Sequence, residues 1–139
     1  MKIEFSALFE PQKEGGFTVT FPDIPEAITE GDTMEEAIFN AQEILTGCLE
    51  QRIEDSENIP LPEVRKGKHF YSVSPSAAVQ SAILVRLSKN GKSLADIARA
   101  LGTSWPAVQR LENPKHSPTL KQLERAAAAL GKRLILSFE

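Results

Sequence analysis

Ala98, Gly102 and Val108 limit what this chain can fold into more than any other residues do. They lie within Ser93 to Leu111, where they supply a small residue for two helices to touch, a corner, and an apolar residue that closes the wedge. The stretch looks like a helix-turn-helix, whose second helix lies in the major groove of DNA. Ser93 caps the first helix, with Asp96 in the first turn where the helix dipole favours negative charge. Leu94, Ile97, Ala98 and Leu101 then share one face, which stops at Gly102 because glycine accepts positive φ without steric cost. Ser104 caps the second helix, Pro106 occupies its first turn, and Val108 and Leu111 point back toward the first. The alternative is an ordinary helical hairpin, in which Ala98 and Gly102 serve packing alone.

The residues that follow extend the pattern. Leu111-Glu112-Asn113, Lys115, Ser117-Pro118 and Leu120 to Leu130 resemble the continuation found in the Cro and phage-repressor class of helix-turn-helix domains. That resemblance covers about residues 77 to 131.

Length and charge bound the remainder. A chain of 139 residues with 41% hydrophobic content holds one medium domain or two small ones. No apolar run is long enough to cross a bilayer and no signal peptide precedes the first strand, so the expected location is the cytoplasm. Cys48 is the only cysteine, which excludes an internal disulfide, and the expectation is a small buried hydrophobe. The net charge of −3 conceals a split: residues 1–74 carry 6 basic against 15 acidic side chains, and residues 75–139 carry 10 against 4. The basic half suits a phosphate backbone, and the acidic half suits a basic protein or a merely solvated face.

Along the chain, Lys2 to Phe9 alternates as a strand with Ile3, Phe5, Ala7 and Phe9 on one side. Gly15-Gly16 turns it into a second strand, Phe17 to Phe21, which Pro22-Asp23-Ile24-Pro25 ends. Ala27 to Glu30 is a short third strand. Thr33 and Glu36 form a capping box for a long helix reaching about Arg52, with Met34, Ala37, Ile38, Ala41, Leu45, Cys48 and Leu49 facing the sheet. Residues 55–68 read as a linker and His69 to Val73 as a last strand. The first domain, 1–74, is therefore α+β, a three- or four-stranded sheet carrying one long helix. The second, 75–139, is an all-α helix-turn-helix domain with a terminal β-strand. Ser74-Pro75 opens this domain with a cap and a proline, and Ala77 to Leu87 is its first helix, with Val79, Ala82, Ile83 and Leu87 inward and Asn90-Gly91 at its end; Ser117-Pro118 opens the last helix, whose inner face is lined by Leu120, Leu123, Ala127 and Leu130. Leu134 to Phe138 is β-like and is expected either to pair with its copy in a second subunit or to return to the first domain. The first option makes the chain a homodimer or a higher even oligomer.

No convergent catalytic set is evident. His69 and His116 lie in different domains, no metal-ligand spacing occurs, and no glycine-rich loop leads into a helix. Glu4, Asp23 and Glu43 are the carboxylates a two-metal site would need, but the last strand adds none. The expectation is a protein that is not an enzyme and holds neither cofactor nor metal; an RNA-processing nuclease is the catalytic alternative. For DNA reading, Arg110 suits guanine, Gln109 suits adenine, and Ser104 suits a phosphate or base edge. Trp105 serves either packing or contact with a thymine methyl. Ser93, Asn113, Lys115 and Lys92 occupy helix ends and the following loop, where phosphate contacts are common.

Taken whole, the chain resembles the HicB family of antitoxins. The resemblance is carried by Gly15-Gly16-Phe17, Phe21-Pro22-Asp23-Ile24-Pro25, Glu30-Gly31-Asp32-Thr33 with Glu35-Glu36-Ala37, and Ile59-Pro60-Leu61-Pro62. It implies a first domain with a reduced ribonuclease-H-like fold that has lost catalysis. That domain would mask a small, basic, HicA-type toxin that cleaves messenger RNA. The second domain would bind operator DNA and repress the operon encoding both proteins. Asp23, Glu26 and Glu30, clustered around the Pro22 to Pro25 loop, are the expected toxin-binding residues, acting as mimics of RNA phosphates. The alternative is a stand-alone transcription regulator whose first domain senses a small ligand.

Overall fold

Alternating apolar residues in the first strand build the sheet. In the computed structural model, which describes all residues from Met1 to Glu139, β1 (Phe5–Pro11) buries Phe5, Ala7 and Phe9 completely. Each buried phenylalanine contributes about 2–3 kcal/mol of apolar transfer. β2 (Phe17–Thr20), β3 (Ile28–Gly31) and β4 (Phe70–Val73) complete an antiparallel sheet in the order β3-β2-β1-β4. The β1–β2 hairpin closes at Pro11 opposite Phe17, with Gly15 and Gly16 at φ 96° and 80°. That left-handed backbone explains the paired glycines.

α1 (Met34–Glu54) covers one face of this sheet with Ala37, Ala41, Leu45 and Leu49. Thr33 caps it by accepting from the Glu36 amide at 3.1 Å. The Glu36 carboxylate accepts from the Asp32 amide instead of from Thr33, so the expected capping box is displaced by one residue. Gly31 fits tightly beneath the first turn, where a Cβ would stand 2.4 Å from the Ala37 nitrogen. Three of the expected inward positions differ: Ile38 is 40% exposed, and Met34 and Cys48 are only half-buried, flanking the fully buried row of Ala37, Ala41, Leu45 and Leu49.

The segment 55–68 holds no helix or strand, as its prolines and Gly67 predict, and it is tied to the sheet by hydrogen bonds. Ser6, buried on the face of the sheet opposite α1, donates to the Glu63 carbonyl at 3.2 Å and accepts from the Arg65 amide at 2.8 Å. Arg65 reaches Asp23 at 2.8 Å, Arg52 donates to the Asn58 carbonyl at 2.9 Å, and Ile59 is buried. Alternation along β1 places Ser6 on the face away from Phe5 and Ala7, and the strap across that face supplies the hydrogen-bond partners a buried hydroxyl needs.

The chain divides into two units, Met1–Gln80 and Ser81–Glu139. α2 (Ala77–Ser88) begins in the first and ends in the second. It begins at Ala77, as the helical spacing predicts, but the capping hydroxyl is that of Ser76 rather than Ser74: it accepts from the Val79 amide, and the Ser76 amide donates to Thr46. In the second unit, α3 (Leu94–Leu101), α4 (Trp105–Leu111) and α5 (Leu120–Ala129) surround a core of Ile97, Ala98, Val108 and Leu130, with Leu94 and Leu101 packed against it. Thr119, not Ser117-Pro118, opens α5, through a capping box with Gln122. Leu120 therefore falls at the first position of the helix and is 57% exposed rather than inward, and Ala126 takes the buried place. The tail 134–138 forms no strand within the chain, and Ile135, Leu136 and Phe138 are exposed. The tail adds no strand to the first unit's sheet, whose order is β3-β2-β1-β4.

Candidate functional site

The turn between α3 and α4 depends on one backbone conformation. Gly102 adopts φ 65° and ψ 37°, its amide bonds the Ala98 and Arg99 carbonyls, and the Thr103 amide bonds the Ala98 carbonyl at 2.9 Å. These bonds close the end of α3 and redirect the chain. Ser93 and Asp96 form the capping box at its start. Ser104 then caps α4 by accepting from the Ala107 amide, Pro106 lies in the first turn, and Val108 is fully buried.

Three cationic side chains fix the surroundings of α4, and sequence spacing pointed to none of these contacts. Lys89 pairs with Glu112 at 2.6 Å, tying the end of α2 to the C-terminal cap of α4. Arg125 on α5 donates to the Leu101 carbonyl at 3.0 Å, and Lys92 donates to the Ala129 carbonyl at 3.4 Å. Lys92 thus closes a helix end inside the unit. Cations at helix C-termini meet unsatisfied carbonyls, which is the signal these positions carry.

α4 presents Trp105, Gln109 and Arg110 to solvent, with Trp105 55% exposed. Ser104 stands at the same helix start and Ser93 at the start of α3. As caps, both hydroxyls already accept a backbone bond, yet each keeps its proton to donate to a phosphate oxygen. The Asn113 carbonyl oxygen of the side chain accepts from the Lys115 amide at 2.9 Å, which orders the loop after α4 and holds Lys115 exposed beside it. Apart from Lys92, the residues expected to face DNA lie on two helix starts, one exposed helix face and one ordered loop.

In the first unit the acidic trio does not form a patch of free charge. Arg65 engages Asp23, whose side chain is only 13% exposed. Arg52 grips both oxygens of Glu26, at 2.5 and 2.8 Å, and this contact holds the Glu26 carboxyl below its ordinary range. Glu30 alone is exposed without such a partner, on the outer strand β3, where its carbonyl accepts from Asn40. A Pro-flanked loop rich in acids looks like a charge cluster in one dimension, but its counter-charges come from residues 26 and 42 positions away.

The remaining groups offer little for catalysis. Burial and the neighbouring Glu26 push the Cys48 thiol above its ordinary value, which keeps the reactive thiolate scarce at neutral pH. No group of three or more histidine, cysteine, aspartate or glutamate side chains is placed to hold a metal ion. No helix is long and apolar enough to cross a membrane.

Comparison with known proteins agrees with both halves. Residues 4–74 match the family model described as the HicB_like antitoxin of bacterial toxin-antitoxin systems, and residues 84–136 match a helix-turn-helix model. Antitoxin HicB 1 of Photorhabdus laumondii is 35% identical over 137 residues, covering 99% of this chain and 88% of that protein. Antitoxin HicB 2 of the same organism is 41% identical over 123 residues, 88% of each. Antitoxin HicB of Escherichia coli K12 is 34% identical over 135 residues, 96% of this chain and 98% of the relative. The chain belongs to the HicB family of antitoxins, with a helix-turn-helix DNA-binding domain as its second half.

Proposed function

We propose that this antitoxin neutralises a small, basic, HicA-type toxin that cleaves messenger RNA, and that it represses its own operon through the helix-turn-helix. The observation that carries the reading is the pairing of an acidic α+β domain with a recognition helix whose exposed face is Trp105, Gln109 and Arg110. The toxin is bound by residues 1–74, and operator DNA by residues 75–139. Ser93, Ser104, Asn113 and Lys115 position the protein on phosphates, whereas Gln109 and Arg110 read bases and Trp105 contacts a thymine methyl or sugar edge. Glu30 contacts the toxin directly. Asp23 and Glu26, held by Arg65 and Arg52, shape the loop and strap beside it.

The protein acts as a homodimer in the cytoplasm, joined by its C-terminal domain. Exposed Ile135, Leu136 and Phe138 support this, because an alternating apolar tail with unpaired backbone is a ready strand for a second copy. Two recognition helices then meet two half-sites about one helical turn apart.

Co-expression with the product of the adjacent short reading frame, followed by size-exclusion chromatography, tests the reading. Co-elution, with the partner toxic when expressed alone, is the expected result. Separate elution would remove the antitoxin activity and leave the DNA-binding assignment standing. Binding to the upstream operator should then weaken about tenfold or more in Arg110→Ala, the usual effect of losing one bidentate base contact. An unchanged operator affinity would take Arg110 out of the readout.

A further inference from the structure

The solvent-facing side of α1 carries three features that the packing of its own domain does not require. First, Gly47 sits in the middle of a 21-residue helix, at an exposed position where an added Cβ would meet nothing within 4 Å. Glycine is among the poorest helix formers, and here no neighbour demands the missing side chain. Second, a groove of about 430 Å³ opens beside it, with Ile44, Gly47 and Cys48 on its α1 wall and Glu26, Gln51 and Glu57 also lining it. Third, Phe39 is 60% exposed two turns earlier, on the side away from the buried Ala37, Ala41, Leu45 and Leu49.

These features share a helix surface with acidic residues. Glu36, Glu43, Gly47 and Glu54 follow one another at seven-, four- and seven-residue intervals, which aligns them along one side of α1. All four are exposed. Phe39 and Glu43 are neighbours at the four-residue spacing. The result is an acidic face with one aromatic anchor and one place where another backbone can approach closely. Exposed aromatic side chains with a polar margin are the usual centres of protein interfaces.

We infer that this face of α1, from Glu36 to Glu54, is where the antitoxin docks its basic, RNA-cleaving partner, with Gly47 admitting the partner's backbone and Phe39 anchoring it. The inference rests on the antitoxin reading above and adds the surface to it. The choice of occupant follows from charge: a protein that handles RNA must carry a basic surface, and residues 1–74 hold 15 acidic against 6 basic side chains. Glu26 and Glu57 form the groove's far side, where Arg52, which also lines it, grips Glu26.

Gly47 makes the test unusually clean, since a larger residue there meets open space in the free protein. Full-length Gly47→Phe should keep its fold and its operator affinity. Its affinity for the purified product of the adjacent reading frame, measured by calorimetry, should fall about 30-fold or more, as expected for a blocked interface centre. Phe39→Ala should lose about tenfold with a thermal midpoint no lower than wild type, and Gly47→Ala should unfold at a higher temperature than wild type. If wild type binds and both Gly47→Phe and Phe39→Ala bind equally well, the surface assignment is overturned while the antitoxin reading survives. If wild type itself does not bind, the antitoxin reading falls and the inference falls with it. Sedimentation equilibrium of Gly47→Phe alone supplies the remaining outcome: a lower assembly mass with unaltered partner affinity would assign the face to a second copy of the chain and overturn the inference.

Discussion

Glu26 shows how a single residue's role depends on what reaches it from a distance. Arg52, 26 positions along the chain, grips its carboxylate with two nitrogens and thereby holds its acid form below the ordinary value of 4.5. An acid depressed in this way adds stability that is complete above its unfolded value and is lost as pH falls through its folded value. The difference in thermal midpoint between wild type and Glu26→Gln should therefore be present at about pH 7 and shrink below about pH 4.5. Because the Glu26 side chain is 43% exposed, the effect at neutral pH is small, within the range of ~0–1 kcal/mol of a solvent-screened pair. A difference independent of pH would mean that the pair contributes nothing to stability and that glutamine is felt only through packing.

Among the elements, α1 and the strand before it are joined by the tightest contact in the first unit. A Cβ on Gly31 would stand 2.4 and 2.6 Å from the Ala37 nitrogen and Cα, backbone atoms that cannot swing aside. Gly31→Ala should lower the stability of the first unit by at least the ~1–3 kcal/mol typical of overpacking. Two transitions in thermal unfolding would show this, with the first moved down and the second, from the helix-turn-helix, left in place. A single unshifted transition would mean that α1 can lift off β3 at no cost. The α3–α4 turn rests on a different principle. Gly102 needs no space, since nothing lies within 4 Å of its added Cβ, but its φ of 65° is one that other residues reach only with strain.

For the whole molecule, an acidic unit and a basic unit on one chain give two opposite electrostatic surfaces. Operator affinity should fall steeply with added salt, as counterions released from phosphates return, whereas partner binding through the acidic unit should lose chiefly its association rate. Removing residues 134–139 should convert the assembly to a monomer in sedimentation equilibrium and weaken operator binding by about 100-fold or more, since the two half-sites are then bound independently. A dimer that persists without the tail would place the joint elsewhere in the chain. The exposed Phe138 is the residue whose burial in that joint is expected to matter most.

Local chemistry was legible in the residues themselves. The helix-turn-helix followed from Ser93, Gly102, Ser104 and Val108, because capping, positive φ and a buried branched side chain are properties of short stretches. The strands and the long helix followed from alternation and helical spacing for the same reason. Long-range partners were not legible: Arg52 for Glu26, Arg65 for Asp23, the strap across Ser6, and Lys89 for Glu112. An ion pair between distant positions has no period and no spacing, so only the folded chain decides which acid meets which base. The same holds for α1. Helical spacing defined its apolar stripe, but only the folded chain decided that Ile38, within that stripe, stays in solvent and that a groove opens beside Gly47.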